Sequence, residues 1–235
     1  MSARRLASAA GLAAVAAWAG YAWGAHLATP LCTWRGGRHP RRIALTFDDG
    51  PDPEWTPRVL DLLAAAGVPA TFFVVGQRAA RAPAVVRRAA AERHEVANHG
   101  WSHRSLWFCT PGATAEEIGR TQALVEDQIG QAPRHFRPPW GLVNAAMFGA
   151  LRRAGLRCVL WSVQAEGLRP RTGLAQARDV QRRAHPGAIV DLHDADGVPG
   201  APARLLDGLP RMITGLHDAG YAFATVRDLL DGPAM

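Results

Sequence analysis

Short apolar runs alternate along the chain with segments in which apolar residues recur at helical spacing. Residues 43–47 are apolar or β-branched, which predicts a buried strand. Apolar residues then recur every three or four positions from Trp55 to Ala66, and Gly67 predicts the end of that helix. About seven such strand–helix units follow one another, which predicts an α/β fold, open or closed into a barrel.

The later elements continue this alternation. Further strands are expected at residues 70–75, 95–97, 134–136, 158–163, 188–192 and 221–226, and further helices at residues 83–91, from Thr114, from Asn144 and around 205–216. The four residues from Thr114 to Glu117 have the form of a capping box, which predicts a helix start there. In a barrel of this kind the functional residues lie at the carboxyl ends of the strands, and the polar motifs follow predicted strands.

Two adjacent carboxylates, Asp48 and Asp49, end the first predicted strand and are followed by Gly50 and Pro51. In a dry site such neighbours repel one another, and a bound divalent metal would compensate them. A solvated turn is the alternative, because Asp-Gly-Pro is also typical of turns. This motif by itself therefore leaves both interpretations open.

His99 and His103 follow the third predicted strand at a spacing of four residues. That spacing puts both imidazoles on one side of a helical turn, where they could bind one ion. Two histidines and one carboxylate would leave the open position that a catalytic zinc needs. With Asp48 and Asp49 at a neighbouring strand end, the sequence indicates a metal site.

Three further residues follow predicted strands. Arg137 could orient a carboxylate through paired hydrogen bonds. The alternative interpretation is that Arg137 is a surface arginine beside a proline turn. Trp140 is either a sugar platform or part of the core. His193, remote in sequence but also at a strand end, is a candidate general acid.

The amino-terminal segment differs from the rest of the chain. Arg4 and Arg5 precede an uncharged stretch, residues 6–25, which is long enough as a helix to cross a bilayer and equally resembles a secretory signal. We expect residues 1–25 to be a signal-anchor or a signal peptide, residues 26–40 a linker, and residues 41–231 the catalytic domain. We expect the body of the chain to lie outside the membrane, tethered or secreted.

Composition excludes several classes of protein. The hydrophobic fraction of 48% and the charged fraction of 20% are those of a globular protein, not of a disordered chain or a coiled coil. The net charge is +7 and all 27 basic residues are arginine, but they are scattered, so no nucleic-acid partner is expected. Three cysteines without close spacing are expected to be buried thiols rather than a disulfide framework.

Together these motifs resemble the polysaccharide deacetylase family, also called the NodB-homology domain or carbohydrate esterase family 4. The resemblance covers about residues 41–230 in the family's order. It is carried by Thr46-Phe47-Asp48-Asp49-Gly50-Pro51, by His99 and His103, by Arg137-Pro138-Pro139-Trp140, and by Val190-Asp191-Leu192-His193. It implies a distorted, incomplete (β/α)7-type barrel, here preceded by an amino-terminal apolar helix.

The resemblance also implies a role for each matching residue. Asp49, His99 and His103 would bind a divalent metal, usually zinc in this family. Asp48 would be the general base, held by Arg137, and His193 would protonate the leaving amine. Leu192 would help to form the pocket for the acetyl methyl group. The substrate would be an acetylated polysaccharide, such as peptidoglycan or a chitin-like polymer.

Two departures from the family pattern concern the loop and the acid. Gly100 stands where a serine or threonine usually follows the first histidine, which would loosen that loop. The motif after Trp161, which in the family supplies an aspartate that tunes the catalytic histidine, is degraded. We hypothesise that Asp191 or Glu166 does this work by pairing with His193 or Arg137. Side chains alternate between the two faces of a strand, so Asp191 should share a face with His193 inside the barrel. The alternative is that Asp191 lies at the edge of the barrel and is exposed to solvent.

The main functional hypothesis is a metal-dependent hydrolase that removes acetyl groups from a cell-envelope or extracellular polysaccharide, with N-acetyl groups expected first and O-acetyl esters as the open alternative. The alternative is a catalytically weakened member of the fold that still binds carbohydrate, which the degraded motif favours. A phosphotransferase would need a phosphate-binding lysine or a glycine-rich loop, and the chain contains no lysine.

Overall fold

The computed structural model describes residues 3–22, 24–37, 41–166, 171–196 and 199–232. The strands are β1 (Arg42–Asp48), β2 (Thr71–Val74), β3 (Glu95–Asn98), β4 (His135–Phe136), β5 (Arg157–Cys158), β6 (Val163–Gln164), β7 (Ile189–His193) and β8 (Ala222–Phe223). The helices are α1 (Ala3–Ala22), α2 (Trp55–Ala66), α3 (Gly76–Arg81), α4 (Pro83–Ala91), α5 (Pro111–Ile129), α6 (Ala145–Arg153), α7 (Gly173–Arg183), α8 (Ala201–Asp218) and α9 (Val226–Asp231). Short 3-10 helices cover Gly24–Leu31, Leu106–Phe108 and Pro139–Gly141.

Seven parallel strands form a curled sheet in the order β5-β4-β3-β2-β1-β7-β6, and β8 pairs in parallel with the start of β1. All the strands point the same way because helices on the outside carry the chain back between them. The result is an α/β half-barrel, which confirms the expected fold class. The carboxyl ends of all these strands therefore open on one rim.

The two faces of β1 and β7 differ in chemistry. Ile43, Leu45 and Phe47 of β1 pack with the outer helices, as do Val190 and Leu192 of β7. The alternate residues turn into the barrel, where apolar packing below gives way to polar side chains near the rim. Because of this alternation, polar side chains line the barrel interior near the rim, and apolar side chains on the outer face form the core with the helices.

The first residues before β1 also pack on the barrel. Thr33 pairs with Val159 and Arg35 pairs with Ala188, so the segment 32–36 contacts both sides of the opening between β5 and β7. Hydrogen bonds of 2.8 Å run from Thr33 N to Cys158 O and from Gly36 N to Gly187 O. Residues 32–36 of the predicted linker are therefore folded against the sheet, and its first residues belong to the 3-10 helix Gly24–Leu31. Residues 38–40 of that linker lie outside the described residues.

Three local expectations are corrected. Helix α5 begins at Pro111, with the Thr110 side chain accepting a hydrogen bond from Ala113 N, so Thr114 and Glu117 lie inside the helix and form no capping box. The strand expected at residues 158–163 is divided into β5 and β6, which lie at opposite edges of the sheet. Helix α3 was not expected, because its six residues contain too few apolar positions to show a period.

Helices α2, α4 and α6 match their expected limits. Gly67 ends α2 in the left-handed conformation, and the Asn144 side chain caps α6 by accepting from Met147 N.

In the part of the chain that the structure describes, no helix combines the length and the hydropathy needed to cross a bilayer. Cys32, Cys109 and Cys158 are buried free thiols.

Candidate active site

The functional residues expected from the sequence come together at the carboxyl ends of β1, β3, β4 and β7. Asp48 ends β1 and lies in register with His193, which ends the neighbouring β7. His99 follows β3 and Arg137 follows β4, the next strand along. Residues that are remote in sequence are neighbours here because parallel strands end on one rim.

Asp49, His99 and His103 form a candidate metal site, since one ligand atom from each lies within 4.8 Å of the others. Asp49 Oδ1 is 2.8 Å from His103 Nε2 and 3.4 Å from His99 Nε2. Asp49 and His103 both have left-handed backbone, with φ of 73° and 57°. Non-glycine residues adopt this conformation only when their surroundings hold them, and such strain is frequent at functional sites.

The tautomer of His99 is fixed by the backbone. Its Nδ1 lies 2.7 Å from the carbonyl oxygen of Arg137, and a carbonyl can only accept, so Nδ1 carries the proton. The Nε2 lone pair is therefore free to face Asp49 and His103. A hydrogen bond of this kind to the second ring nitrogen is the usual support of a metal-binding histidine.

Several observations show that these residues fit a divalent cation. Asp49 Oδ1 is buried and faces the Nε2 atoms of both imidazoles, so it is placed to share one ion with them. Burial alone would raise the pKa of Asp49, but the imidazoles of His103 and His99 outweigh it and hold the pKa well below its usual range. Burial alone would lower the pKa of His99, but the charges of Asp48 and Asp49 raise it. The pocket thus favours positive charge, and two imidazoles with one carboxylate suit zinc chemistry.

Arg137 lies under the site with no exposed surface and donates in several directions. Its Nη1 donates to Asp48 Oδ1 at 2.6 Å and to Thr46 Oγ1 at 2.7 Å. Its Nη2 donates to the Leu160 carbonyl at 3.1 Å, and the guanidinium lies 4.1 Å from the centre of the Phe73 ring. Because one carboxylate oxygen of Asp48 is held in this way, Oδ2 is left to face the metal site, 3.9 Å from His99 Nε2.

Asp191 lies inside the barrel beside Arg137, not at an exposed edge. Its side chain is 2% exposed and its Oδ1 is 3.5 Å from Arg137 Nη1. Burial raises the pKa of Asp191 to about 7, and the Asp48 charge adds to this, while His193 and Arg137 oppose it. The structure therefore places Asp191 on the face that it shares with His193.

Glu166 approaches the other side of His193. Its Oε2 lies 3.3 Å from His193 Nδ1, and both atoms are buried without another partner among the described residues. Burial alone would lower the pKa of His193, but the charge of Asp191 and the contact with Glu166 raise it to about 10. Of the two carboxylates considered in the sequence, Glu166 contacts the histidine ring and Asp191 contacts Arg137.

The two residues expected to bind substrate are placed differently. Trp140 is 58% exposed, so it is not part of the core, and its ring centre lies 4.4 Å from that of His103. Leu192 is 1% exposed and packs with the outer helices, on the opposite strand face from Asp191 and His193. The expectation that Leu192 lines the acetyl pocket is therefore corrected, because alternation along β7 turns it away from the rim.

Two buried acids near the site were missed. Glu117 of α5 accepts hydrogen bonds from the loop between the two histidines, a contact that its local pattern gave no means of finding. Asp194 follows His193 and accepts from the Thr56 hydroxyl at 2.5 Å. A Cβ at Gly50 would lie 2.4 Å from Asp194 Oδ2, so this turn can approach Asp194 only because residue 50 is glycine. Asp194 could have been identified from the sequence, because it directly follows His193 at the end of a predicted strand.

Comparison with known proteins agrees with this geometry. A peptidoglycan-N-acetylglucosamine deacetylase PgdA of Listeria monocytogenes is 38% identical over 189 residues, which are 80% of this chain and 39% of that protein. This chain thus spans about two fifths of the length of that relative. A chitooligosaccharide deacetylase of Sinorhizobium fredii is 37% identical over 196 residues, which cover 80% of this chain and 91% of that protein.

A solved structure shows the same fold. The Bc1960 peptidoglycan N-acetylglucosamine deacetylase superposes with a TM-score of 0.79 at 30% identity, over 86% of this chain and 93% of that one. Residues 35–159, just over half of the chain, match the family described as Polysaccharide deacetylase. A match of this extent, supported by relatives above 30% identity that are covered almost end to end, shows that the chain belongs to the polysaccharide deacetylase family.

Proposed function

We propose that this protein is a metal-dependent deacetylase that hydrolyses N-acetyl groups on an extracellular or cell-envelope polysaccharide. One observation carries the proposal: a candidate metal site, a free carboxylate oxygen of Asp48 and the imidazole of His193 meet at one rim. Hydrolysis of an amide requires a base for water, an acid for the leaving nitrogen and a positive charge near the carbonyl oxygen. The rim offers candidates for all three.

Asp49, His99 and His103 would hold the metal, and zinc is the ion that this ligand set suits. When bound there, a divalent metal would polarise the acetyl carbonyl and make water more acidic. That the bound ion is zinc is also part of this proposal. The backbone strain at Asp49 and His103 supports a preformed arrangement of ligand atoms.

Asp48 is proposed as the general base. Arg137 occupies its Oδ1, so the free Oδ2 accepts a proton from water as the water oxygen bonds to the acetyl carbon. Arg137 positions the carboxylate, and its own five hydrogen bonds keep the guanidinium in place. Asp49 is less suited to this role because its Oδ1 faces both imidazoles.

His193 is proposed as the general acid. The neighbouring carboxylates raise its pKa, so the ring holds a proton at neutral pH. With Nδ1 facing Glu166, Nε2 is the nitrogen left to face substrate. It donates a proton to the amide nitrogen as the carbon–nitrogen bond breaks, which releases acetate and a free amine on the sugar.

The substrate class comes from the relatives and from one exposed aromatic residue. The names of the relatives specify N-acetylglucosamine in peptidoglycan and chitooligosaccharide. Trp140 presents a flat ring beside His103, which suits stacking against a sugar ring. We therefore propose a β-linked N-acetylglucosamine polymer rather than an O-acetylated one.

The place of action is also a proposal. The glycans named for the relatives lie outside the cytoplasmic membrane, and the basic start followed by uncharged residues 6–25 is typical of an export signal. We propose that the catalytic body acts outside that membrane.

The test is acetate release by zinc-loaded protein on chitooligosaccharides, peptidoglycan and an O-acetylated glycan. We expect release from the N-acetylated substrates, and none from protein that carries His99→Ala together with His103→Ala, because the two exchanges remove two of the three ligands. Elemental analysis of that variant should show no zinc.

The same experiment separates the competing hypothesis. A weakened carbohydrate-binding member would hold zinc and bind the glycan, measured by calorimetry, but release no acetate. Undiminished zinc in the double variant would show that the assigned metal site is wrong.

A further inference from the structure

The separation of the two candidate metal-binding imidazoles depends on the loop of residues 99–103. The ring centres of His99 and His103 lie 5.2 Å apart, and both Nε2 atoms approach the same oxygen of Asp49. The loop reaches this shape with left-handed backbone at His103. Because a non-glycine residue pays in free energy for this conformation, other parts of the fold must hold the loop.

Glu117 of α5 lies directly against the centre of this loop and is 6% exposed. Its Oε2 accepts hydrogen bonds from Trp101 N at 2.9 Å and from Ser102 N at 2.8 Å. Its Oε1 accepts from the Ser102 hydroxyl at 2.7 Å and lies 3.2 Å from Arg104 Nε. Two consecutive backbone N–H groups and a hydroxyl thus converge on one buried carboxylate.

Other polar groups of the loop backbone are held by other backbone groups or by Asn98. Gly100 N donates to Asn98 Oδ1 at 2.9 Å, and the carbonyls of Gly100 and Trp101 accept from the first N–H groups of α3. Gly100 has a φ of 80°, which costs a glycine little. The N–H groups of Trp101 and Ser102 are the part of the loop backbone that depends on the Glu117 side chain.

We propose that Glu117 is a positioning residue of the metal site: its carboxylate fixes the loop so that the Nε2 atoms of His99 and His103 converge on one ion. The proposal rests on the proposed function only in assuming that these residues bind a metal. Without the carboxylate, two N–H groups and a hydroxyl would lose their acceptor in a partly buried setting, and the loop would relax. Metal affinity would fall although no ligand is removed.

The test is the zinc dissociation constant of the purified full chain, measured by competition with a chromogenic chelator. We expect Glu117→Ala to weaken zinc binding by about 10- to 100-fold, the range typical for groups that support metal ligands. Glu117→Gln keeps one acceptor oxygen, so we expect a smaller loss. Glu116→Ala, at the exposed neighbouring position that pairs with Arg120, is the matched control and should bind zinc like the parent.

A second measurement distinguishes loop geometry from general destabilisation. The absorption spectrum of the cobalt-substituted protein reports the ligand arrangement, and we expect its bands to change in Glu117→Ala and Glu117→Gln but not in Glu116→Ala. If Glu117→Ala does not fold, Ser102→Ala is a milder change that removes the hydroxyl bonded to Glu117 and Arg104 but keeps both backbone N–H bonds. Both Ser102→Ala and Glu117→Gln should still bind zinc more weakly than the parent.

Zinc affinity within twofold of the parent in folded Glu117→Ala, or in both milder variants, would overturn the proposal. His99→Ala separates this failure from a failure of the metal site itself. If His99→Ala loses zinc while the Glu117 variants keep it, the metal site stands and the role of Glu117 is refuted. If His99→Ala keeps zinc, the site is wrong, and the role of Glu117 is refuted with it.

Discussion

Glu166 Oε2 lies 3.3 Å from Nδ1 of His193. Glu166 follows the edge strand β6, and His193 ends the neighbouring strand β7. The pairing of these two strands brings a carboxylate to the candidate acid. The degraded motif after Trp161 therefore still supplies an anion to the histidine, from a different position. A negative charge next to an imidazole favours its protonated form.

Glu166→Gln should move the basic limb of the activity profile to lower pH. His193 has a pKa of about 10, so it remains a proton donor through neutral pH. Loss of the carboxylate lowers that pKa, and we expect the limb to shift down by roughly one to two pH units. The measurement is kcat/KM against pH on a chitooligosaccharide, with zinc content determined in parallel.

Stability gives a second measurement on the same variant. Because the folded pKa of His193 is raised, its contribution to stability is full below the unfolded value of about 6.5 and is lost as pH rises through about 10. The metal-free parent should therefore exceed Glu166→Gln in free energy of unfolding at pH 6, and the difference should vanish above pH 10. Gln164→Ala, at an exposed neighbouring position, is the control and should leave both the pH dependence of kcat/KM and the free energy of unfolding unchanged. If the pH dependence of kcat/KM in Glu166→Gln equals that of the parent, His193 works without this partner.

Asp48→Asn should reduce turnover by about 10²- to 10⁴-fold, because it removes the proposed base. The asparagine can still accept from Arg137, and Asp49 with both histidines is intact, so zinc content should not change. Single-turnover kinetics and elemental analysis check the two expectations. Loss of zinc in this variant would indicate that the roles of the two aspartates have been exchanged.

Trp140→Ala should raise KM for a polymeric substrate by about tenfold and leave kcat nearly unchanged. The ring is exposed beside His103 and would contribute stacking energy rather than chemistry. Trp34→Ala, which removes another exposed tryptophan, is the control. A fall in kcat at constant KM would argue for a role in the chemical step instead.

Asp194→Asn should stabilise the metal-free protein at alkaline pH. Burial raises the pKa of Asp194 to about 7, and the unfolded value is about 4. The fold therefore favours the protonated acid below pH 4 and loses that stability as pH rises through 7, by at most about 1.4 kcal/mol per pH unit. Melting temperatures of variant and parent should agree at pH 4 and separate by several degrees at pH 8.

Asp196→Asn, at an exposed position two residues further on, is the control for that series and should show no such pH dependence. A variant less stable than the parent at pH 8 would mean that the ionised Asp194 is stabilised by its surroundings.

Protease added to intact cells with a permeabilised outer envelope should digest the catalytic body, since we propose that it lies outside the cytoplasmic membrane. A cytoplasmic marker protein should survive the same treatment. Protection of the body until the cells are lysed would contradict the proposed location. An amino terminus near Ala25 in the recovered protein would indicate that the first segment is cleaved.

The sequence was sufficient for the strand ends and for the residues that meet there. Asp48 and His193 end strands, and His99 and Arg137 directly follow strands. Parallel strands must bring their carboxyl ends together. Alternation along β7 correctly predicted that Asp191 shares a face with His193. The same rule excluded Leu192 from that face, so the expectation carried over from the family was corrected by information already present in the sequence.

Contacts between remote elements could not be predicted in this way. The pattern from Thr114 to Glu117 fits a capping box locally, but Glu117 is used by a loop 15 residues earlier in the chain. Whether Asp191 or Glu166 approaches His193 depends on the path of residues 159–162 across the barrel opening. Periodicity reports which face a residue occupies, not which side chain meets it there.

The pairing of Thr33 with Val159 and of Arg35 with Ala188 sets a practical limit on recombinant versions of this protein. A protein that starts at β1 would leave the Leu160 N–H and the Gly187 carbonyl without the backbone partners that they have here. It would also open a strand edge through which copies could associate. Expression vectors for a shortened protein should therefore encode the chain from a residue before Cys32 onward.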